Sequence, residues 1–172
     1  MADEKFESKW EGKSSAQLKG LTANQVWPFL EDFCNFHKLH QAVDTCYQVD
    51  QDPSATVVAG TGRGLTRYCS STSTSPSGES SVIWAKERLV EMDPAQRRLT
   101  YEVLDNNVGF KKWVATFEVV PIVEGGACEI QWSFVGEPPE GWNYESLVTF
   151  YDSSLQSISK KIEQALLMTS SV

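Results

Sequence analysis

Two charged residues are predicted to point into the interior of the protein. Arg67 has the strand parity of Leu65, and Glu87 has the parity of Leu89, so each shares a face with apolar side chains. Because a buried carboxylate costs several kcal/mol unless it is paired or protonated, Arg67 is a candidate partner for Glu87. In an apolar cavity Glu87 can donate or accept a proton while Arg67 orients a polar group of a ligand. The alternative is structural, with Glu87 near a strand end and Arg67 reaching solvent.

The other reactive residue types form no recognisable site in the sequence. His37 and His40 have the i, i+3 spacing of a helix face, but no third ligand of suitable spacing stands nearby, so neither a metal nor a cofactor is predicted. Two histidines this close together also define no Ser/His/Asp or Cys/His arrangement. The cysteines show no CxxC spacing and are interpreted as buried, reduced thiols: Cys34, Cys46, Cys69 and Cys128.

Glycines concentrate between Pro53 and Gly64. A loop that binds phosphate needs a strand before it and a helix after it. The residues from Leu65 to Ser70 instead alternate as a strand does. We therefore interpret the glycine-rich segment as a hairpin connection and predict no nucleotide site.

The composition indicates one domain over residues 1–172, with residues 1–8 flexible. A hydrophobic content of 41% in 172 residues is enough for a core. The net charge of −8 argues against nucleic acid and anionic membrane surfaces as partners. No apolar run approaches the roughly 20 residues of a membrane span, and the charged first residues favour a cytoplasmic location. The expected partner is a small apolar ligand, and the expected state is a monomer or weak dimer.

A long C-terminal helix is the first element that must position these residues. Between Tyr144 and Met168 an apolar stripe recurs at steps of three and four. Its members are Leu147, Tyr151, Leu155, Ile158, Ile162 and then Ala165 or Leu166. Asn143 is predicted to cap the helix, and Asp152 and Ser159 are predicted to face water. A coiled coil is the alternative, but the seam is short and lacks paired charges beside it.

Period-two alternation predicts strands before this helix, most clearly from Trp113 to Val119 and from Cys128 to Phe134. Two short helices are predicted after the first strand. The segment Ser70 to Ser81, almost wholly Ser and Thr, is interpreted as a mobile linker or hairpin tip. The predicted fold class is α+β, with a curved antiparallel sheet of about seven strands around the C-terminal helix.

The inward face of this sheet mixes large aromatic residues with small ones. Such a face does not fill all the space against one helix, so we expect an internal cavity. The predicted lining is Tyr101, Trp113 and Trp132 from the sheet, with Tyr151 and Leu155 from the helix.

Several short motifs together carry a resemblance to a known family. In chain order they are Lys9-Trp10-Glu11-Gly12-Lys13, Asp32-Phe33 with His37-Lys38, Gly64-Leu65-Thr66-Arg67-Tyr68, Trp84-Ala85-Lys86-Glu87-Arg88-Leu89-Val90, Ala115-Thr116 and Trp132-Ser133-Phe134. Their order and spacing resemble the plant lachrymatory-factor-synthase-like proteins, over about Lys9 to Gln164. That family belongs to the START-like superfamily of polyketide cyclases, birch-pollen-allergen relatives and abscisic acid receptors. The resemblance implies a helix-grip fold.

The resemblance also implies a chemistry for Arg67 and Glu87. In the onion synthase an arginine and a glutamate isomerise an unsaturated sulfenic acid to a thial S-oxide by moving a proton, and they match Arg67 and Glu87. A tyrosine of the synthase falls at Trp113 and its aromatic neighbour at Phe110, which adds Phe110 to the ligand-binding residues. Because Trp113 lacks the hydroxyl, we expect a related cavity with altered contents and weak or no activity on the onion substrate.

Two functions without catalysis stay open. Abscisic acid receptors share the fold and use a gate loop, near Ser75 to Ser80 here, and a His-Arg-Leu latch, near Val108 to Lys111. The latch histidine is absent from this sequence, which disfavours hormone sensing by that mechanism. A non-catalytic carrier or sensor of an apolar plant metabolite or lipid would use the same cavity.

Overall fold

Seven strands form one antiparallel sheet in the computed structural model, which describes residues 9–49, 64–122 and 126–169. The strands are β1 (Trp10–Leu18), β2 (Thr45–Gln48), β3 (Thr66–Thr74), β4 (Ser80–Asp93), β5 (Arg98–Asn106), β6 (Val114–Ile122) and β7 (Ala127–Gly136). Their order across the sheet is β1-β7-β6-β5-β4-β3-β2. The predicted antiparallel sheet is confirmed, and β1 and β2 are its two edge strands.

Two short helices follow β1, as predicted. The first, α1 (Ala23–Glu31), begins at a capping box in which the Gln25 amide donates to Thr22 Oγ1 at 3.2 Å and the Thr22 amide donates to Gln25 Oε1 at 2.9 Å. A 3₁₀ helix, Phe33–Lys38, comes directly after it. This second helix buries Phe33 and Phe36. Two aromatic rings are thereby brought to the inner side of the sheet.

The long helix α2 (Tyr144–Thr169) packs its apolar stripe into the core. Asn143 caps it as predicted, since Asn143 Oδ1 accepts the Ser146 amide at 2.8 Å. The fully or nearly fully buried members of the stripe are Leu147, Tyr151, Leu155, Ile158 and Ile162. Ser14 of β1 donates a hydrogen bond to Asp152, and the Tyr144 hydroxyl donates to the Glu11 carbonyl at 2.8 Å. These contacts hold the helix along β1.

The prediction that Ser159 faces water is wrong. Its side chain is buried, and its hydroxyl has no hydrogen-bond partner. Ser159 follows Ile158 and lies one turn after Leu155, so its position is at the margin of the apolar stripe rather than opposite to it. The sequence pattern alone does not determine how much of the helix surface the neighbouring elements cover.

The Ser- and Thr-rich segment is not a linker along its whole length. Strand β3 continues to Thr74 and β4 begins at Ser80, so only residues 75–79 form the turn of a hairpin. Thr74 is paired with Ser80 in the register, and the hydroxyls of Ser73 and Ser81 are hydrogen-bonded at 2.8 Å. Backbone pairing with β4 thus extends the strand despite its polar composition.

Some sequence predictions fall outside the described residues: the flexible segment 1–8 and nearly all of the glycine-rich connection before Gly64. Among the helices that the structure describes, none has the length and apolar content needed to cross a bilayer.

Candidate ligand cavity and the Arg67–Glu87 pair

Arg67 and Glu87 lie directly opposite each other on β3 and β4. The Arg67 Nε donates to Glu87 Oε1 at 3.0 Å, and the two side chains are 2% and 12% exposed. Both therefore point to the inside of the sheet, as their parity predicts. The pairing register shifts between Lys86 and Glu87, where β4 meets β5, so Glu87 sits beside a bulge.

The guanidinium of Arg67 is enclosed by protein. Its Nη1 donates to the Phe33 carbonyl at 2.8 Å, and its Cζ lies 3.9 Å from the ring centre of Phe33, 4.5 Å from Phe36 and 5.0 Å from Tyr101. Burial lowers the pKa of Arg67, but the Glu87 carboxylate, together with Cys69, Tyr101 and Cys46, more than offsets burial and raises it. The group stays a cation. Its Nη2 is buried and has no hydrogen-bond partner.

An apolar cavity of about 140 Å³ lies beside Glu87, between the sheet, the 3₁₀ helix and α2. Its described lining is Phe36, His40, Val43, Cys69, Ser70, Ser71, Ile83, Trp84, Ala85, Glu87, Tyr101, Val103, Val108, Phe110, Trp113, Trp132, Trp142, Phe150 and Tyr151. Glu87 is the one Asp, Glu, Lys or Arg side chain in this set. A ligand in the cavity would therefore meet a single carboxylate in a mainly apolar wall.

The outer end of the cavity is formed by exposed Ile83 and Phe150 and by the loop after β5. One side chain shapes that loop: Asn106 Oδ1 accepts the amides of Val108, Gly109 and Phe110 at 2.9, 2.9 and 3.0 Å. Gly109 has a φ of 96°, a conformation that favours glycine. The loop is thus held in one shape, which puts Val108 and Phe110 against the cavity.

Two tyrosine hydroxyls are held in the cavity wall by tryptophans. Trp113 Nε1 donates to the Tyr151 hydroxyl at 2.8 Å, and Trp132 Nε1 donates to the Tyr101 hydroxyl at 3.2 Å. Burial raises the pKa of both tyrosines, so both stay protonated. Neither O–H proton is directed at an acceptor among the described residues. Each hydroxyl therefore keeps a hydrogen bond to donate.

Trp113 can occupy its place because a glycine faces it. A Cβ atom on Gly136 would lie 2.3 Å from the Trp113 ring. The ring stacks on Phe134 with centroids 5.2 Å apart and packs at a tilt against Phe110 with centroids 4.7 Å apart. Its orientation, and with it the hydrogen bond to Tyr151, is fixed by this packing.

Most of the sequence-predicted site residues come together at the cavity. Those that line it are Glu87, Tyr101, Phe110, Trp113, Trp132 and Tyr151. Arg67 stands behind Glu87 rather than in the wall, and Leu155 is fully buried in the core away from the lining. Sequence reasoning missed the contributions of His40, Ser70 and Trp142. Only their nearness to predicted turns and loops could have indicated them.

Within residues 9–49, 64–122 and 126–169, no three His, Cys, Asp or Glu side chains lie close enough together to hold a metal ion.

Known structures share this fold. A structure of an uncharacterised protein from Bacillus thuringiensis is 18% identical, with a TM-score of 0.62, and covers 89% of this chain and 98% of its own. The protein XoxI from Bacillus cereus is 20% identical, with a TM-score of 0.62, and covers 91% and 95%. At these identities the likeness shows the fold alone. The family described as polyketide cyclase/dehydrase and lipid transport matches residues 10–163. The chain belongs to this polyketide cyclase/dehydrase family of the START-like superfamily.

Proposed function

We propose that the protein binds a small, mainly apolar molecule in the cavity beside Glu87 and isomerises it by moving a proton. This is the chemistry implied by the resemblance to the lachrymatory-factor-synthase-like proteins. The observation that carries the proposal is one carboxylate in the wall of an apolar cavity of about 140 Å³.

The size of the cavity supports a small substrate rather than a long lipid. An engineered apolar cavity of about 150 Å³ in another protein binds benzene. A volume of about 140 Å³ therefore suits a molecule of similar size. An unsaturated sulfenic acid with three carbons is in that range, whereas a complete fatty acyl chain or a polycyclic polyketide would have to extend through the outer end.

Glu87 is assigned the catalytic role because it alone brings an ionisable carboxyl group to the ligand. Its Oε1 is engaged by Arg67, and its Oε2 accepts no hydrogen bond from the described residues. That oxygen is free to take a proton from the substrate. In a sulfenic acid isomerisation, Glu87 would remove the proton of the S–O–H group and return it to the terminal carbon of the C=C–S unit. The product is the thial S-oxide, and no atom or electron is gained or lost.

Arg67 is assigned a positioning role, which differs from the ligand contact expected from the sequence. Three aromatic rings and the Phe33 carbonyl cover its guanidinium, and Glu87 stands between it and the cavity. We infer that Arg67 fixes the rotamer of Glu87 and keeps Oε1 occupied. The tyrosine hydroxyls take over contact with the polar end of the substrate. The hydroxyl that Trp113 lacks is supplied by Tyr151, 2.8 Å from the Trp113 indole nitrogen.

The test is an isomerase assay with an unsaturated sulfenic acid generated in place and the thial S-oxide detected by mass spectrometry. We expect wild type to form product and Glu87→Gln, which keeps the size and the hydrogen-bond acceptor, to lose turnover by at least about a hundredfold. The matched control is Glu102→Gln, because Glu102 forms the same kind of cross-strand pair with Arg88 on an exposed face. It should leave turnover unchanged.

If wild type forms no product, a measurement of ligand binding distinguishes a carrier from a wrongly assigned ligand class. If wild type binds small apolar molecules but forms no product, and Glu87→Gln binds them equally well, the protein is a carrier and the catalytic assignment is wrong for this substrate class. If wild type binds none of them, the proposed ligand class is wrong as well.

A further inference from the structure

Two cysteines on neighbouring strands form a close thiol pair. Cys46 of edge strand β2 lies directly opposite Cys69 of β3, and their sulfur atoms are 3.2 Å apart. Both side chains are free thiols and both are 8% exposed. The other two cysteines, Cys34 and Cys128, have no sulfur neighbour at this distance among the described residues.

The environment of the pair favours one thiolate. The hydrogen bond from the Cys69 thiol, opposed by burial and assisted by the positive charge of Arg67, lowers the pKa of Cys46 to about 6. The same hydrogen bond raises the pKa of Cys69, so the pair holds a single negative charge. Elsewhere burial raises the pKa of Cys34 to about 11 and also raises that of Cys128. Only the paired site combines a thiolate with a second thiol.

The backbone spacing already suits a disulfide. Residues directly opposite each other in antiparallel strands have Cα atoms about 4.5–5.5 Å apart, and disulfides span about 4.4–6.8 Å. The sulfur atoms need only approach each other from 3.2 Å by side-chain rotation. No strand has to move.

A small oxidant can reach the Cys69 side of this pair through the cavity. Cys69 is part of the cavity lining, as are its neighbours Ser70 and Ser71. Hydrogen peroxide is smaller than the ligands considered above, so a volume of about 140 Å³ admits it. The cavity thus leads a small oxidant to Cys69, and the Cys46 sulfur lies 3.2 Å from the Cys69 sulfur, so the edge strand need not unfold.

We propose that Cys46 and Cys69 are a redox-active dithiol that hydrogen peroxide, or a small organic hydroperoxide, converts to an intramolecular disulfide. The Cys46 thiolate attacks one peroxide oxygen, so that the O–O bond breaks and the departing oxygen takes up a proton as water or an alcohol. Cys46 is then a sulfenic acid. The Cys69 sulfur attacks Cys46 and releases the hydroxyl as water, which forms the S–S bond. The two sulfurs lose two electrons and the peroxide gains them. This inference does not depend on the proposed isomerisation.

The experiment uses the full chain, reduced and freed of reductant, and exposed to hydrogen peroxide for increasing times. Remaining thiols are alkylated after denaturation and assigned by peptide mass spectrometry. We expect Cys46 and Cys69 to disappear together and to be recovered as one disulfide-linked peptide pair, at least about tenfold faster than Cys34 and Cys128 react. Dithiothreitol should restore both thiols.

Single cysteine variants separate the roles of the pair. Cys69→Ser should stop at a sulfenic acid on Cys46, detectable by dimedone, while Cys34→Ser and Cys128→Ser should form the disulfide as wild type does. The proposal is overturned if the four thiols of wild type react at similar rates, or if the recovered disulfides are intermolecular. These measurements use wild type alone, so they remain decisive even if the Cys69→Ser protein fails to fold. Isomerase assays and ligand binding in the reduced protein report on the proposed function independently.

Discussion

Arg67 and Glu87 form an inward-facing ion pair at the same level of the sheet at which Arg88 and Glu102 form an outward-facing one. Both pairs join residues directly opposite each other on neighbouring strands. Arg67 is 2% exposed and Glu87 12%, whereas Arg88 and Glu102 are 39% and 31% exposed. The same Arg–Glu interaction can therefore be compared in a buried and in a partly exposed environment of one protein.

Removing one partner of the inner pair should be costly. We expect Glu87→Leu to lower the free energy of unfolding by about 3–5 kcal/mol, because it leaves the buried Arg67 charge unpaired. Glu102→Leu should cost less than about 1 kcal/mol, since water and salt screen the outer pair. Urea unfolding followed by tryptophan fluorescence measures both.

A double-mutant cycle checks the reason for this cost. Arg67→Met combined with Glu87→Leu removes both charges, so the double variant should be more stable than the sum of the two single losses implies. Additive losses would mean that the two charges are not coupled.

The cavity should be closed by a single added side chain. Ala85 lines it, so the three extra carbon atoms of Ala85→Leu should occupy much of its volume of about 140 Å³. We expect the affinity for benzene, measured by NMR titration, to fall by about tenfold or more, which corresponds to about 1.4 kcal/mol. Stability should change little because the new atoms fill empty space.

Ala115 is the matched control for Ala85. It is 1% exposed and lies in the core outside the cavity lining. Ala115→Leu should lower the free energy of unfolding by about 1–3 kcal/mol through overpacking. Equal destabilisation by both substitutions would show that no usable space lies beside Ala85.

Much of the fold and part of the site follow from periodicity. Strand parity alone places Arg67 and Glu87 on the inner face, and the spacing of Leu147, Tyr151 and Leu155 places one face of α2 in the core. These properties depend only on residue order within one element. They are therefore available from the sequence without knowledge of tertiary contacts.

Properties that depend on distant segments could not be predicted. The sequence does not indicate that Phe33 and Phe36 cover Arg67, because the position of the 3₁₀ helix against β3 is a tertiary contact. The three amide hydrogen bonds that Asn106 accepts in the loop with Phe110 are local, but residue order does not fix the side-chain rotamer that makes them. At Ser159 the polar side chain predicts exposure to water, but the residue is buried.

His40 should make stability depend on pH. Burial, and then the positive charge of Arg67, lower its pKa from 6.5 to about 4, and its Nδ1 accepts the Ala42 amide at 3.2 Å. Between pH 4 and pH 6.5 His40 binds a proton in the unfolded chain but not in the folded protein. The free energy of unfolding should therefore fall by about 3 kcal/mol as pH decreases from about 6.5 to about 4.

Substitution by a residue that does not titrate isolates this effect. His40→Gln should lose the His40 contribution to the pH dependence while keeping that of the carboxylates. Urea unfolding of both proteins at several pH values gives the difference curve. A difference that is flat between pH 4 and 6.5 would contradict the assignment.

The buried hydroxyl of Ser159 is predicted to destabilise the protein. It has no hydrogen-bond partner, so Ser159→Ala should raise the free energy of unfolding by about 1–2 kcal/mol. Ser153 is exposed on the same helix, and Ser153→Ala should yield only the helix-propensity gain of about 0.5 kcal/mol. Equal gains from the two substitutions would assign the whole effect to propensity.

Tyr151 is predicted to supply the hydrogen bond that a ligand accepts in the cavity. Its hydroxyl accepts from Trp113 at 2.8 Å and retains its own proton, which burial keeps in place by raising the pKa. Tyr151→Phe should cost about 1–3 kcal/mol of stability, because the buried Trp113 N–H loses its acceptor. It should also weaken binding of cyclopentanone by about tenfold and leave binding of cyclopentane unchanged.

The two ligands differ in one carbonyl oxygen, so their comparison separates hydrogen bonding from loss of shape. Tyr144→Phe is the control: the Tyr144 hydroxyl is bonded to the Glu11 carbonyl at 2.8 Å and lies outside the cavity lining. It should change neither affinity. If Tyr151→Phe weakens both ligands equally, the cavity has lost its shape and the hydroxyl is structural. If it weakens neither, the polar end of the ligand lies elsewhere, and Tyr101, held by Trp132 at 3.2 Å, becomes the donor to test.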